Sequence, residues 1–218
     1  LMLGDNLYGT QKPEDFVLKF DRPYQALLAA GVVFHASLGN HDKPANRNYP
    51  AWHMDGKRYY TFTTGPVRFI ALDSNVMDPP QLEWLTATLR AATEPWKVVF
   101  FHHPLYSSAG YHGSDDSLRT MVEPLFIKYG VNVVLSGHDH VYERLRPQHG
   151  IYYFVAGSGG QLRKNDLQWS VDTAAGFDQD RAFVLLEIGD DHLDVQAIAR
   201  SGKTVDSVSL PKQRAPQL

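Results

Sequence analysis

The sequence contains no cysteine, no apolar run of membrane-spanning length and no block of like charge. Lack of cysteine excludes a disulfide scaffold and leaves the redox compartment unread, since a cysteine-free chain suits cytosol, periplasm or medium alike. The longest apolar runs, such as Val98 to Phe101 and Val131 to Leu135, are strand-length, far short of the ~20 residues a membrane helix needs. Lys and Arg total 21 against 24 Asp and Glu, a formal net charge of -3 with ten His counted neutral. That balance argues against a polyanion-binding surface, so nucleic acid is not an expected partner. Internal repeats, low-complexity tracts and a basic, apolar leader are missing as well. Because the chain opens on Leu1 rather than Met, it is expected to start inside a longer protein, with its opening strand incomplete.

What is present supports one sizeable core. A chain of 218 residues with 43% hydrophobic content typically buries about 70% of its unfolded surface, and a single domain over 1–218 with a tail at 211–218 is expected. Short apolar runs alternate with helical periodicity, which points to an α/β fold. Pro13 to Ala30 predicts a helix interrupted at Pro23 and stopped by Gly31, followed by a strand from Val32 to Leu38. Tyr59 to Thr63 and Val67 to Leu72 predict an antiparallel hairpin. Pro79-Pro80 opens a helix through Ala92, with Leu82, Leu85 and Leu89 on one face. Lys97 to Phe101 predicts a strand, Leu118 to Tyr129 a helix and Val131 to Leu135 another strand. Ile151 to Val155, Ala182 to Ile188, His192 to Ala199 and Lys203 to Ser209 read as later strands, so the sheet is mixed. Gly157 to Asp180 is a long, Gly-rich loop that either faces a site or is mobile; within it, Gly157-Ser158-Gly159-Gly160 lacks a GxGxxG pattern and reads as a turn.

Residues able to ligate metal recur just after apolar strands. Asp5 follows Leu1 to Leu3, Asn40-His41 follows Val32 to Leu38, His102 follows Val98 to Phe101, and His138 and His140 follow Val131 to Leu135. In open α/β sheets, binding sites gather at the carboxyl ends of strands, so these loops are expected to converge. Any one of them alone would read as an ordinary turn or a structural His.

Four blocks carry a resemblance to a known family: Gly4-Asp5-Asn6-Leu7-Tyr8, Gly39-Asn40-His41-Asp42, Val99-Phe100-Phe101-His102 and Gly137-His138-Asp139-His140. In this order they resemble the calcineurin-like metallophosphoesterases, and the GDxxY block is similar to that of the purple acid phosphatases. Val141-Tyr142-Glu143-Arg144 and Gly150 to Gly160 also look like the family. An Asp-containing first block, which relatives place at the end of the opening strand, is expected to lie ahead of Leu1. The resemblance implies a four-layer αββα sandwich with mixed sheets and two metals at one edge. It implies Asp5 as the carboxylate shared by both metals, Tyr8 as a phenolate ligand to ferric iron beside His140, and Asn40, His102 and His138 as ligands to zinc, manganese or ferrous iron. Asp42 and Asp139 are candidates for orienting these ligands from behind. His103 is expected to point the other way from His102 if the strand persists, and reads as structural or substrate-facing rather than as a ligand, while Tyr111 and His112 read as weak substrate contacts.

The implied activity is hydrolysis of a small phosphate monoester by in-line attack of a metal-bound hydroxide, with His41 as general acid. Alternatives are a phosphodiesterase or nuclease of the same superfamily, which Tyr8 argues against, and a non-catalytic metal- or phosphate-binding fragment, which His41 argues against. A β-lactamase-like zinc hydrolase is disfavoured by the missing HxHxDH run. Relatives of the purple subgroup are often exported, so a secreted or periplasmic setting is an expectation of the resemblance.

Overall fold

The structure is a computed structural model, and it describes residues 1–212. Its centre is a seven-stranded mixed sheet built from β3 (Tyr60–Thr64), β4 (Val67–Ala71), β5 (Trp96–Phe100), β6 (Val133–Ser136), β7 (Tyr142–Leu145), β8 (Tyr152–Ala156) and β9 (Thr173–Phe177). The strand order is β3-β4-β5-β6-β8-β7-β9. The run from β4 through β8 in that order is parallel, while β3, β7 and β9 pair antiparallel with their neighbours. Because β5 and β6 are covered on both faces, their sequences are continuous apolar runs rather than alternating ones.

Two helices cover one face. The longer ones are α3 (Pro79–Ala91) and α4 (Asp116–Tyr129), numbered after the short α1 (Pro13–Phe16) and α2 (Gln25–Ala29). Asp78 caps α3 by accepting from the Gln81 amide at 3.1 Å, with prolines filling the first turn where no intrahelical donor is needed. Asp115 caps α4 in the same way at 2.9 Å, which starts that helix two residues ahead of the expected Leu118. Leu85 and Leu89 from α3 and Leu118, Val122 and Phe126 from α4 close a cluster with Ile70, Val99, Phe101 and Val134 of the sheet.

The opposite face packs against a second, antiparallel sheet of β10 (Ala182–Ile188), β11 (His192–Ala199) and β12 (Thr204–Pro211). Leu193, Val195 and Ala197 point inward from β11 into a cluster with Val98, Phe100, Leu135 and Phe154. Polar ties cross between the sheets: Asp206 on β12 accepts from the Arg144 guanidinium at 2.7 and 3.0 Å and from the Tyr142 hydroxyl at 2.7 Å, and the Tyr152 hydroxyl donates to the Pro211 carbonyl at 2.8 Å. A parallel pair, β1 (Met2–Leu3) with β2 (Ala36–Ser37), forms a third, small sheet. The aromatic side chains Phe16, Phe20, Phe34, Tyr49 and Trp52 gather α1 and its continuation into the same cluster.

The expected α/β class and large mixed sheet are therefore found, with differences in detail. The helix over 13–30 is broken into α1, a wide turn at Val17–Asp21 and α2; the break surrounds Pro23, which cannot donate to a helical ladder. The strand expected over 32–38 shortens to Ala36–Ser37, since its pairing partner is only two residues long and Val32 and Val33 lie exposed. β7 and β9 were unexpected. Glu143 and Arg144 interrupt the apolar pattern of β7, and β9 is the weak strand former Thr-Ala-Ala-Gly-Phe. Of the expected tail at 211–218, Pro211 is the last residue of β12, paired opposite His192, and residues 213–218 lie outside the described residues.

Candidate metal centre

The carboxyl ends of β1, β2, β5 and β6 open onto one place. Gly4-Asp5 leaves β1 with positive φ at both residues (84° and 53°), and Gly39 brings the β2 loop against it. A Cβ at Gly39 would lie 2.2 Å from Asp5 Oδ1 and 2.8 Å from His102 Cε1, so only glycine permits the approach. Asp42 then clamps the two loops together. Its buried carboxylate accepts from the amides of Asn6 at 3.1 Å, Leu7 at 3.2 Å and Gly39 at 3.0 Å, and from the Asn6 side chain at 3.0 Å. Burial outweighs these bonds and raises its pKa.

Six side-chain donors form a continuous chain of contacts. Tyr8 Oη lies 2.9 Å from Asp5 Oδ2 and 3.3 Å from His140 Nε2. His102 Nε2 lies 3.4 Å from Asp5 Oδ2, 3.1 Å from Asn40 Oδ1 and 3.0 Å from His138 Nδ1. The other ring nitrogen of His102 sits 2.8 Å from the Leu3 carbonyl, which can only accept, so Nδ1 carries the proton. In the neutral ring Nε2 then presents a lone pair, aimed at the oxygens of Asn40 and Asp5. Lone pairs converging at this range repel unless a cation stands among them, and carboxylate, amide, phenol and imidazole donors suit first-row transition metals. The residues present therefore fit a metal centre.

Electrostatics agree with that reading. Burial lowers the pKa of His138 to about 3, helped by His102 and His103, and lowers that of His140, helped by Arg163. Both rings are thus held neutral, as ligation demands. For Asp5, burial works against ionisation, but the neighbouring His102 imidazole, the His41 amide and the Tyr8 hydroxyl prevail and hold the carboxyl below its ordinary range. The Tyr8 phenol is pushed upward by burial and by the Asp5 charge.

The remaining expected residues are placed as follows. His41 is exposed; its amide donates to Asp5 Oδ1 at 2.9 Å and its ring lies 5.0 Å from that of Tyr8. Asp139 is fully buried behind His138 and His140 and accepts from Ser107 at 2.6 Å; burial raises its pKa to about 6. His112 packs its ring 4.0 Å from that of His138, whereas Tyr111 is 63% exposed at the rim. His103 is not turned away from the cluster: its ring lies 4.5 Å from His138, and it forms a group able to hold a metal with His102 and His138. Its Nδ1 instead contacts the Ser74 hydroxyl at 2.8 Å. The strand ends at Phe100, so strict alternation of side chains no longer applies at 102–103.

Two groups escaped the sequence reading. Ser74 fixes His103 from the loop after β4. Arg163, in the loop after β8, donates its amide to the His140 carbonyl at 3.1 Å and lays its guanidinium 3.4 Å from the centroid of the Tyr111 ring. The loop that carries it, Gly157 to Asp180, reads from sequence as one that could face a site, but nothing in the loop singles out Arg163.

A cluster of metal-competent donors lies at the carboxyl edge of a mixed sheet that is covered by helices on one face and a second sheet on the other. The chain belongs to the calcineurin-like phosphoesterase family, whose family model matches residues 1–142. It is similar to tartrate-resistant acid phosphatase type 5 of Oryctolagus cuniculus, 31% identical over 98% of this chain and 79% of that protein. The Rattus norvegicus counterpart is 32% identical over 62% of this chain and 43% of its own length. A shorter stretch, 35% of this chain, is 41% identical to Fe(3+)-Zn(2+) purple acid phosphatase 12 of Arabidopsis thaliana. In most of these alignments the chain spans less than half of the relative. Among solved structures, the fold is shared with purple acid phosphatase PPD1 from yellow lupin at a TM-score of 0.66 and 22% identity, covering 82% of this chain and 40% of that one. It is also shared with GAP50 of Plasmodium, described as an anchor in the inner membrane complex, at 0.77 and 18%, covering 97% and 76%.

Proposed function

We propose that the chain carries the catalytic centre of a metal-dependent phosphatase that hydrolyses small phosphate monoesters. The observation that carries the reading is the unbroken chain of donor atoms from His140 through Tyr8, Asp5 and His102 to Asn40 and His138. In the proposed assignment Asp5 is shared by two metals, Tyr8 and His140 complete one shell, and Asn40, His102 and His138 complete the other. Iron with zinc, manganese or a second iron matches that set. Two such cations would supply Lewis acidity and a water ionised near neutral pH.

The chain's own residues do the rest. Asp5 Oδ1 holds the His41 amide, which fixes the backbone from which the exposed imidazole reaches the mouth of the site. His41 then gives a proton to the leaving oxygen, an assistance worth roughly 10²–10⁴-fold. Asp42 keeps the Asp5 and Asn40 loops in register, and Asp139 with Ser107 supports the turn that presents His138 and His140. GAP50, described as an anchor, shares the fold, but the exposed His41 beside the donor cluster favours chemistry here. Among the described residues no helix is long and apolar enough to cross a membrane, and export is proposed on the family resemblance.

The test is metal analysis joined to kinetics. Purified protein is expected to hold two metals per chain, to hydrolyse an aryl phosphate faster than a bis-aryl phosphate, and to lose 10²–10⁴-fold in kcat on His41→Ala with metal content unchanged. Two bound metals without hydrolysis of either ester would defeat the proposal.

A further inference from the structure

The loops after β5 and β8 are joined rather than independent. Ala109 and Leu167 form an isolated antiparallel bridge, the Gly110 amide donates to the Asp166 carbonyl at 2.8 Å, and the Gln168 amide donates to the Ser108 carbonyl at 2.8 Å. This zipper sets the Gly157 to Asp180 segment against the metal centre and fixes where Arg163 stands. From the guanidinium a continuous line of ring contacts leads inward: Tyr111 beneath it at 3.4 Å, His112 edge-on to Tyr111 at 4.4 Å, then His138 tilted against His112 at 4.0 Å.

Arg163 is half-buried where it stands. Among the described residues it makes no ion pair, and its Nη1 atom is buried without a hydrogen bond. Cation–π contact with Tyr111 steadies the guanidinium but supplies no hydrogen-bond acceptor for that Nη1. A planar guanidinium with a free, sheltered N–H at the lip of a phosphoesterase centre is suited to a phosphoryl oxygen, which it can meet in bidentate fashion.

We infer that Arg163, held flat by Tyr111, is a specificity-determining residue that contacts the non-bridging oxygens of the bound phosphoryl group and favours dianionic monoesters over monoanionic diesters. This inference rests on the phosphatase reading above. A diester carries one anionic oxygen fewer, so the guanidinium discriminates by charge, while the overall charge of -3 offers no long-range attraction of its own.

The experiment compares wild type with Arg163→Gln and Tyr111→Leu, using an aryl phosphate, a bis-aryl phosphate and inorganic phosphate. For the monoester, Arg163→Gln is expected to lower kcat/KM at least tenfold, mainly through KM. Diester hydrolysis is expected to change less than threefold, and metals per chain to stay the same. Calorimetry should show inorganic phosphate binding at least tenfold more weakly. Tyr111→Leu should move the same parameters in the same direction by a smaller factor, since it frees the guanidinium without removing it. Equal losses for both esters, or unchanged phosphate affinity, would overturn the inference. Should wild type with two metals hydrolyse neither ester, the phosphatase reading fails, and phosphate affinity still decides Arg163: a tenfold loss supports its role and equal affinity refutes it.

Discussion

Removing the Asp42 carboxylate should loosen the metal centre without touching a single donor atom. Asp42→Ala strips the acceptor from three backbone amides, those of Asn6, Leu7 and Gly39, and from the Asn6 side chain, in a site where Asp42 is 8% exposed. A buried donor left without an acceptor costs roughly 1–3 kcal/mol, so three amides sum to roughly 3–9 kcal/mol. Water entering the vacated space recovers part of this, leaving about 3–5 kcal/mol. With a slope of about 2 kcal/mol per molar urea, the midpoint of unfolding should fall by about 1.5–2.5 M. Asp42→Asn keeps the oxygen that serves Asn6 and Gly39 but turns an amide N–H toward Leu7, so its cost should be nearer 1–3 kcal/mol. The assay is equilibrium urea unfolding of metal-free protein, followed by metal titration of the folded variants, in which Asp42→Ala should load less metal than wild type. An Asp42→Ala protein that unfolds within about 0.5 kcal/mol of wild type and loads metal normally would refute the clamp.

Two further outcomes follow from groups outside the centre. Asp206→Ala leaves the Arg144 guanidinium and the Tyr142 hydroxyl without their shared acceptor between the sheets; a loss of about 3–5 kcal/mol is expected for breaking such a buried pair, read by thermal unfolding, and a loss under 1 kcal/mol would show that the tie is dispensable. Burial, aided by His53, lowers the pKa of His35 to about 4 where the free imidazole titrates near 6.5. The folded state therefore takes up fewer protons than the unfolded one: the contribution to stability is full above pH 6.5 and is lost as pH falls toward 4. His35→Phe, which preserves the stack on Phe62 at 3.6 Å, should flatten the pH dependence of unfolding by at most one proton, about 1.4 kcal/mol per pH unit. Parallel profiles for variant and wild type would contradict this.

Much of the site was legible because its loops are short and follow strongly apolar strands. Val98 to Phe101 and Val131 to Leu135 are long enough, and apolar enough, to be recognised as buried parallel strands, and whatever follows such a strand must surface at the sheet edge. That logic located Asp5, Asn40, His102, His138 and His140 together. It weakened where tertiary partners override local preference. β7 could not be read from Tyr-Glu-Arg-Leu, because Glu143 is tolerated in the interior only by virtue of Thr173 and Ser108 from distant segments. β9 is built of small residues whose strand character comes from pairing with β7. The orientation of His103 depended on where β5 ends, a boundary that periodicity does not fix. Arg163 was invisible because its meaning lies in Tyr111 beneath it, some fifty positions away in sequence.

The contacts at the donor cluster join parts of the chain that are far apart in sequence. Tyr8 meets His140 across 132 positions, and His102 meets the Leu3 carbonyl across 99. An ion held there is a removable cross-link that closes several large loops at once, and a ligand present at a thousandfold excess over its dissociation constant adds about 4 kcal/mol to folding. Stability then becomes a readout of supply. In a protease-rich setting, a molecule starved of metal would open its sheet edge more often and be degraded sooner, so the surviving population would be enriched in metal-loaded copies without any dedicated quality-control step.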